Sequence, residues 1–245
     1  MLEVKKLSKY FGGVKAVNNC SFNVEKNSIT ALIGPNGSGK STVFNLISGV
    51  LKEESGKIFH NKTDITHYSV EEVSNLGISR LFQTSQLFKN LTVKDNLLLA
   101  IDNEDTKFWI NLLGKNKVTE KKVNKVKDIL KLIDMESSLN ILAENLSFGQ
   151  QRLTDLGRAI LNPHELLMLD EPVAGINPKL RKIISEVLLN LKRQGETILL
   201  IEHDMNFALQ LADTVIVLDE GSVISQGTPE NIVKDKKVIK AYLGD

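Results

Sequence analysis

Apolar residues in this chain come in short runs, each closing on a polar or glycine-rich cluster. Leu166-Leu167-Met168-Leu169 has no polar interruption, and Ile29-Thr30-Ala31-Leu32-Ile33 and Thr197-Ile198-Leu199-Leu200-Ile201 have almost none. Runs of this kind suit parallel strands buried on both faces. Looser alternation from Leu2 to Leu7 and from Ala16 to Glu25 predicts two more strands, separated by Phe11-Gly12-Gly13. Lys57–His60 and Ile78–Gln83 read as short strands, the second finishing on an amide side chain. Val215–Leu218 and Ser222–Ser225 flank Asp219-Glu220-Gly221 as a hairpin.

Helical spacing dominates from Thr84 to Leu161. One helix begins near Thr92. In another, Val123, Val126, Leu130 and Ile133 share a face among lysines. Such a helix could lie on a membrane surface. The narrow stripe and the interrupting Asp128 favour one packed on the core instead. Asp102–Lys117, which carries Trp109, is the least regular piece and reads as a loop or a short helix.

Several helix ends are marked. Ser69 with Glu72, and Ser147 with Gln150, have the spacing of reciprocal N-terminal capping. Gly77 ends the first of these helices, and Asn162-Pro163 stops the second after Leu161. Lys179–Leu191 is a further helix. Pro229 opens a last one that ends near Leu243-Gly244. The expected organisation is an α/β nucleotide-binding core over residues 1–83 and 162–245, with a helical lobe, 84–161, inserted into it.

The stretch Gly34-Pro35-Asn36-Gly37-Ser38-Gly39-Lys40-Ser41-Thr42 changes this picture most. It joins a strand to a helix, the context a phosphate-binding loop requires. Its glycines let backbone N–H groups curl around an anion, and the helix N-terminus adds positive potential. Lys40 can reach the β- and γ-phosphates of a nucleoside triphosphate, and the Ser41 hydroxyl can ligate Mg²⁺. Asp170-Glu171 closes a buried strand, where adjacent carboxylates are costly unless a cation or a reaction uses them. Asp170 is the natural Mg²⁺-side carboxylate, and Glu171 the base that polarises water. His203 follows the other core strand, where it can meet a γ-phosphate. Gln83 ends its strand where ligands collect in such sheets. The capped helix beginning after Ser147 is a second anion site. Phe11 is a candidate for stacking on adenine, set against an ordinary role in packing a turn.

Composition narrows little further. The 245 residues are 42% hydrophobic and 25% charged, with a net charge of +1. That balance gives no nucleic-acid field. Cys20 is the sole cysteine, so an internal disulfide is excluded, and it reads as a small buried apolar residue. No secretory signal and no apolar run near the ~20 residues of a membrane span is visible. Any membrane role is therefore expected to come through a partner.

Taken in order, these stretches resemble the ATP-binding cassette (ABC) family across essentially the whole chain. Gly34–Thr42 looks like its Walker A loop, Gln83 its Q-loop, and Leu146-Ser147-Phe148-Gly149-Gln150 its signature. Asp170-Glu171 resembles Walker B with the catalytic glutamate, His203 the switch histidine, and Phe11 the adenine-stacking aromatic. The resemblance implies a P-loop NTPase core with a mainly parallel sheet, an N-terminal antiparallel β subdomain and an inserted α-helical subdomain. It also implies ATP and Mg²⁺ as cofactors, and Gln83 as a sensor of Mg²⁺ and the attacking water. Two such domains close head to tail, so that Ser147, Gly149 and Gln150 would meet the nucleotide of a second ATPase subunit. The helical lobe and Q-loop would dock membrane permease subunits on the cytoplasmic face.

Two residues depart from the common pattern, Phe148 in the signature and Asn177 in Ala174-Gly175-Ile176-Asn177-Pro178. Both look like the ATP-binding subunits of branched-chain amino acid importers, as do Arg80–Thr84, Ile201–Met205 and Ala241–Gly244. Such importers pair non-identical ATPases with two permeases and a substrate-binding protein. Relatives that move urea, amides or lipopolysaccharide share most of these motifs. A soluble clamp on DNA or ribosomes would call for a tandem cassette, a coiled coil or a basic stripe. A small-molecule kinase would have no use for Leu146–Gln150.

Overall fold

A computed structural model describes residues 1–101 and 120–243 of the chain. Asp102–Lys117 with Trp109, and Gly244, lie outside the described residues. The chain divides into two compact units. The first comprises Met1–Arg80, Glu165–Glu171 and Leu189–Asp245, and the second Leu81–His164 and Pro172–Leu188.

The chain opens with strands β1 (Leu2–Phe11), β2 (Val14–Val24) and β3 (Ile29–Ile33), then helix α1 (Lys40–Ile47). β4 (Ser55–His60), β5 (Thr63–Asp64), α2 (Val70–Asn75) and β6 (Ile78–Leu81) follow. The second unit contains α3 (Val93–Ile101), α4 (Glu120–Leu132) and α5 (Phe148–Leu161). After β7 (Leu166–Asp170) comes helix α6 (Pro178–Arg193). The remainder is β8 (Ile198–Ile201), α7 (Met205–Leu211), β9 (Thr214–Asp219), β10 (Ser222–Gly227), α8 (Pro229–Ile232) and α9 (Lys236–Leu243).

Among the described residues the strands form two sheets, an antiparallel one ordered β2-β1-β4-β5 and a larger one ordered β10-β9-β3-β8-β7-β6. In the larger sheet β3 runs parallel to β8 and β9, and β7 parallel to β8. Every residue of β3, β7 and β8 is buried, as their unbroken apolar runs require. Leu32 and Asp170 both pair with Ile201, so the carboxyl ends of the three strands lie level. The β9–β10 hairpin turns on Glu220 and Gly221, both with φ above zero (44° and 78°), the conformation a two-residue turn between twisted strands needs. A core cluster joins the antiparallel sheet to the larger one through Val4, Leu7, Ile58, Phe44 of α1, Met168 and Leu199. Full burial of a side chain such as Phe44 contributes about 1.5–3 kcal/mol.

In the second unit Val126, Ile129, Leu130 and Ile133 are buried, so the lysine-rich α4 is a packed helix with a solvated outer face. Gly157 of α5 makes the approach possible: a Cβ there would lie 2.9 Å from Ile129 Cγ2. Asn96, fully buried in α3, donates to the carbonyls of Phe88 and Thr92 at 3.0 Å and ties down the preceding loop.

Two expectations are corrected. The strand before Gln83 stops at Leu81, and the carbonyls of Phe82 and Gln83 accept from the Arg152 guanidinium instead of continuing a ladder. The closing helix is two helices, α8 and α9. Asp235 separates them: its carboxylate accepts from Ser225 Oγ at 2.6 Å and from the Lys237 N–H at 2.9 Å, which makes it the cap of α9.

Candidate functional site

The loop after β3 is held open by its glycines. Gly39, at φ 101°, precedes the first residue of α1, and a Cβ on it would fall 2.2 Å from the Ala16 carbonyl oxygen. A Cβ on Gly34 would fall 2.0 Å from the Leu218 carbonyl oxygen. Strand β2 and the end of β9 thus press on the loop, and only glycine fits. Gly221 adds a hydrogen bond, donating its N–H to Ser38 O at 3.0 Å. Asn36, Gly37 and Ser41 are exposed, Pro35 and Thr42 are half-buried, and Ser38 is buried. Lys40 is 6% exposed and its ammonium donates to the carbonyls of Gly34 and Pro35, both at 2.8 Å. Burial pushes its pKa below the ordinary lysine value, while Glu171 and Asp170 pull it back up.

The level ends of β3, β7 and β8 bring the loop, Asp170 with Glu171, and Glu202 with His203 to one edge of the first unit. Carboxyl ends of parallel strands are where such sheets bind ligands. Asp170 is the last residue of β7, 3% exposed. Glu171 leaves the strand at φ +48°, a left-handed conformation uncommon for a glutamate, while its N–H donates to Ile201 O at 3.0 Å. His203 Nδ1 lies 4.0 Å from Glu171 Oε2 and 3.9 Å from Glu202 Oε2, with the imidazole half exposed. Among the described residues no three His, Cys, Asp or Glu side chains gather into a metal cage. The nearby donors are the Ser41 hydroxyl and carboxylates at a strand end, a set that suits Mg²⁺ when phosphate oxygens complete the shell.

Phe11, also in the first unit, is 45% exposed at the end of β1, with Lys9 Nζ 5.5 Å from its ring centroid. Gln83, Ser147, Gly149 and Gln150 belong to the second unit. Gln83 sits in the loop beyond β6, its side chain exposed. Ser147 caps α5: its Oγ accepts from the Gln150 N–H at 3.4 Å, and Gln150 Oε1 accepts from the Ser147 N–H at 3.0 Å. Gly149 leaves room for the Leu180 side chain, whose Cδ1 would lie 2.1 Å from a Cβ there and would have to turn aside. Phe148 is 60% exposed. Asn177 Oδ1 accepts from the Leu180 N–H at 3.0 Å, so it caps α6 as an aspartate would, ahead of Pro178 in the first turn.

Sequence reasoning missed four polar residues around these positions. Arg80 of β6 pairs with Asp170 at 2.8 Å. Arg152, 4% exposed on α5, donates to the carbonyls of Phe82, Gln83 and Pro172. Glu202 is fully buried beside His203. Asp204 caps α7 by accepting from the Phe207 N–H at 3.1 Å. Only Asp204, directly before a short helix and three residues ahead of its first buried apolar position, Phe207, had a local signal. Arg80 and Arg152 are recognisable through contacts distant in the chain, and Glu202 through its complete burial just past β8.

Residues 17–174 match the family model for the ABC transporter, and residues 222–245 that for the branched-chain amino acid ATP-binding cassette transporter. The chain is 40% identical, over its whole length and 95% of the relative's, to the probable branched-chain amino acid transport ATP-binding protein LivG of Archaeoglobus fulgidus. A nucleotide-free ATP-binding cassette from an ABC transporter has a similar structure, with a TM-score of 0.85 at 35% identity over 100% of this chain and 99% of that one. A dimeric cassette in a post-hydrolysis state, bound to ADP and Pi, gives 0.79 at 25% identity, covering 94% of this chain and 99% of the other.

Proposed function

Because the chain belongs to the ATP-binding cassette family of transporter ATPases, we propose that it hydrolyses ATP to power import of branched-chain amino acids through partner permeases. The observation that carries this reading is the similarity along the whole chain to a branched-chain amino acid transport ATPase, extending into the match at residues 222–245. No helix among the described residues is long and apolar enough to cross a membrane, so membrane-spanning partners are part of the proposal, with this chain on their cytoplasmic face.

The residues divide the work as follows. Gly34–Ser41 and Lys40 hold the phosphates, and Phe11 stacks on the adenine. Ser41 and Asp170 hold Mg²⁺, which supplies charge neutralisation along the phosphates when bound. Glu171 accepts a proton from the attacking water, and His203 holds the γ-phosphate. A second cassette contributes its own Ser147, Gly149 and Gln150 to this nucleotide. The buried, desolvated Lys40 and the level strand ends support the phosphate side of this arrangement. The reciprocal cap at Ser147 supports the anion-binding end of α5.

The test is uptake by proteoliposomes holding the chain with the permeases and the second cassette that co-purify with it. ATP-dependent accumulation of labelled leucine, isoleucine or valine is expected when the binding protein is added. Accumulation of urea or an amide without leucine would overturn the solute, and transport without ATP hydrolysis would overturn the whole reading.

A further inference from the structure

Arg80 uses both arms of its guanidinium, and each arm reaches a different element. Nη2 donates to Asp170 Oδ2 at 2.8 Å, while Nη1 donates to Asn45 Oδ1 at 2.8 Å and to Ser48 Oγ at 2.7 Å. Ser48 is fixed in turn, donating to Phe44 O at 2.8 Å. The Phe44 ring centroid lies 5.6 Å from the guanidinium carbon. Both partners of the ion pair are below a tenth exposed, at 7% and 4% for the side chains. A guanidinium stays charged and holds its donors in a rigid plane, so it fixes direction as well as charge.

The same helix carries both contacts. Ser41 stands in the first turn of α1, and Asn45 and Ser48 stand at its far end. Arg80 thereby ties the Asp170 carboxylate to the helix that bears the Ser41 hydroxyl. We infer that Arg80 is a positioning residue that holds Asp170 in register with Ser41 for a divalent cation. This inference rests on the proposed reading of Ser41 and Asp170 as the Mg²⁺ side of a nucleotide site. A lysine could supply the charge at this place, but not the two-armed geometry.

The test measures binding of a fluorescent, non-hydrolysable ATP analogue by the full chain, with Mg²⁺ and with excess chelator. The ratio of the two affinities reports the Mg²⁺ contribution alone. Asp170→Asn and Arg80→Gln are each expected to lower that ratio by about tenfold or more, with chelator affinity held within about twofold, as for residues that hold or orient a metal ligand. Arg80→Lys should recover part of the loss. The paired substitution Asn45→Ala/Ser48→Ala, which leaves the ion pair in place, should lower the ratio measurably but by less than Arg80→Gln does.

A normal ratio in the Arg80 variants, with a reduced one in Asp170→Asn, would overturn the positioning role and leave the site assignment standing. A normal ratio in Asp170→Asn would overturn the assignment, and the inference with it. Equal losses with and without Mg²⁺ in the Arg80 variants would mean a purely structural pair, and would also overturn it. Should Arg80→Gln fail to fold by circular dichroism, the Asn45→Ala/Ser48→Ala chain decides, and an unchanged ratio there overturns the inference.

Discussion

The Lys40 ammonium lies 2.8 Å from the carbonyl oxygen of Gly34, at the opposite end of the loop that Lys40 closes. The cation is buried with its donors directed at backbone carbonyls, and burial lowers its pKa. A phosphate arriving at the loop would offer that cation a fully charged partner in place of neutral ones.

Lys40→Ala is therefore expected to weaken nucleotide binding itself. Loss of a charge-assisted contact of about 1.5–3 kcal/mol corresponds to roughly ten- to a hundredfold in affinity. Titration with a fluorescent ATP analogue measures it, and an unchanged affinity would count against the loop assignment.

Glu171 leaves β7 in a left-handed backbone conformation with His203 beside it. Glu171→Gln keeps the size and removes the proton acceptor. Hydrolysis should fall about 10²–10⁴-fold, the usual worth of a positioned base, while ATP still binds. Phosphate release and size-exclusion chromatography with ATP check this. Near-normal turnover would remove Glu171 from its role.

Ser147 caps α5 through reciprocal bonds with Gln150. Ser147→Ala should cost about 1 kcal/mol of stability, visible as a lower urea midpoint. Ser147→Arg should leave nucleotide binding by the isolated chain intact and abolish hydrolysis. Phosphate release at the wild-type rate would show that this helix end does not meet a nucleotide.

Cys20 is fully buried, and burial pushes its thiol from an ordinary value of 9.0 up to about 12. Below pH 9.0 the thiol is protonated in the folded and unfolded chain alike, so its full contribution to stability is present. Between 9.0 and about 12 only the unfolded chain ionises, and stability falls with rising pH by up to about 1.4 kcal/mol per unit. Urea melts of the wild type and Cys20→Ala across that range should diverge, with the wild type losing more. At pH 8 the native thiol should resist alkylation and react once the chain is unfolded; rapid labelling of the folded protein would contradict its burial.

The parts of the fold that could be read from sequence were those whose cause is local. β3, β7 and β8 announce themselves because burial on both faces leaves no polar positions to alternate. The caps at Ser69 and Ser147 are legible because both partners lie within one turn. The break at Asp235 depends on Ser225, in a different strand, and a helix pattern runs through it unmarked. Arg80 and Arg152 are further cases: one finds its carboxylate 90 residues along the chain, the other its carbonyl 70 residues back. A sequence displays such cations without showing what they hold.

The frame around the glycine turn comes from late in the chain, since Gly221 bonds Ser38 and the Leu218 carbonyl closes over Gly34. Synthesis on the ribosome delivers the turn well before these supports. A nascent polypeptide stalled before the hairpin would carry the whole glycine motif with β2 and the Lys40 bonds against it, but without the Gly221 and Leu218 contacts. That part of the brace arrives only once β9 and β10 have been made, long after the turn it supports.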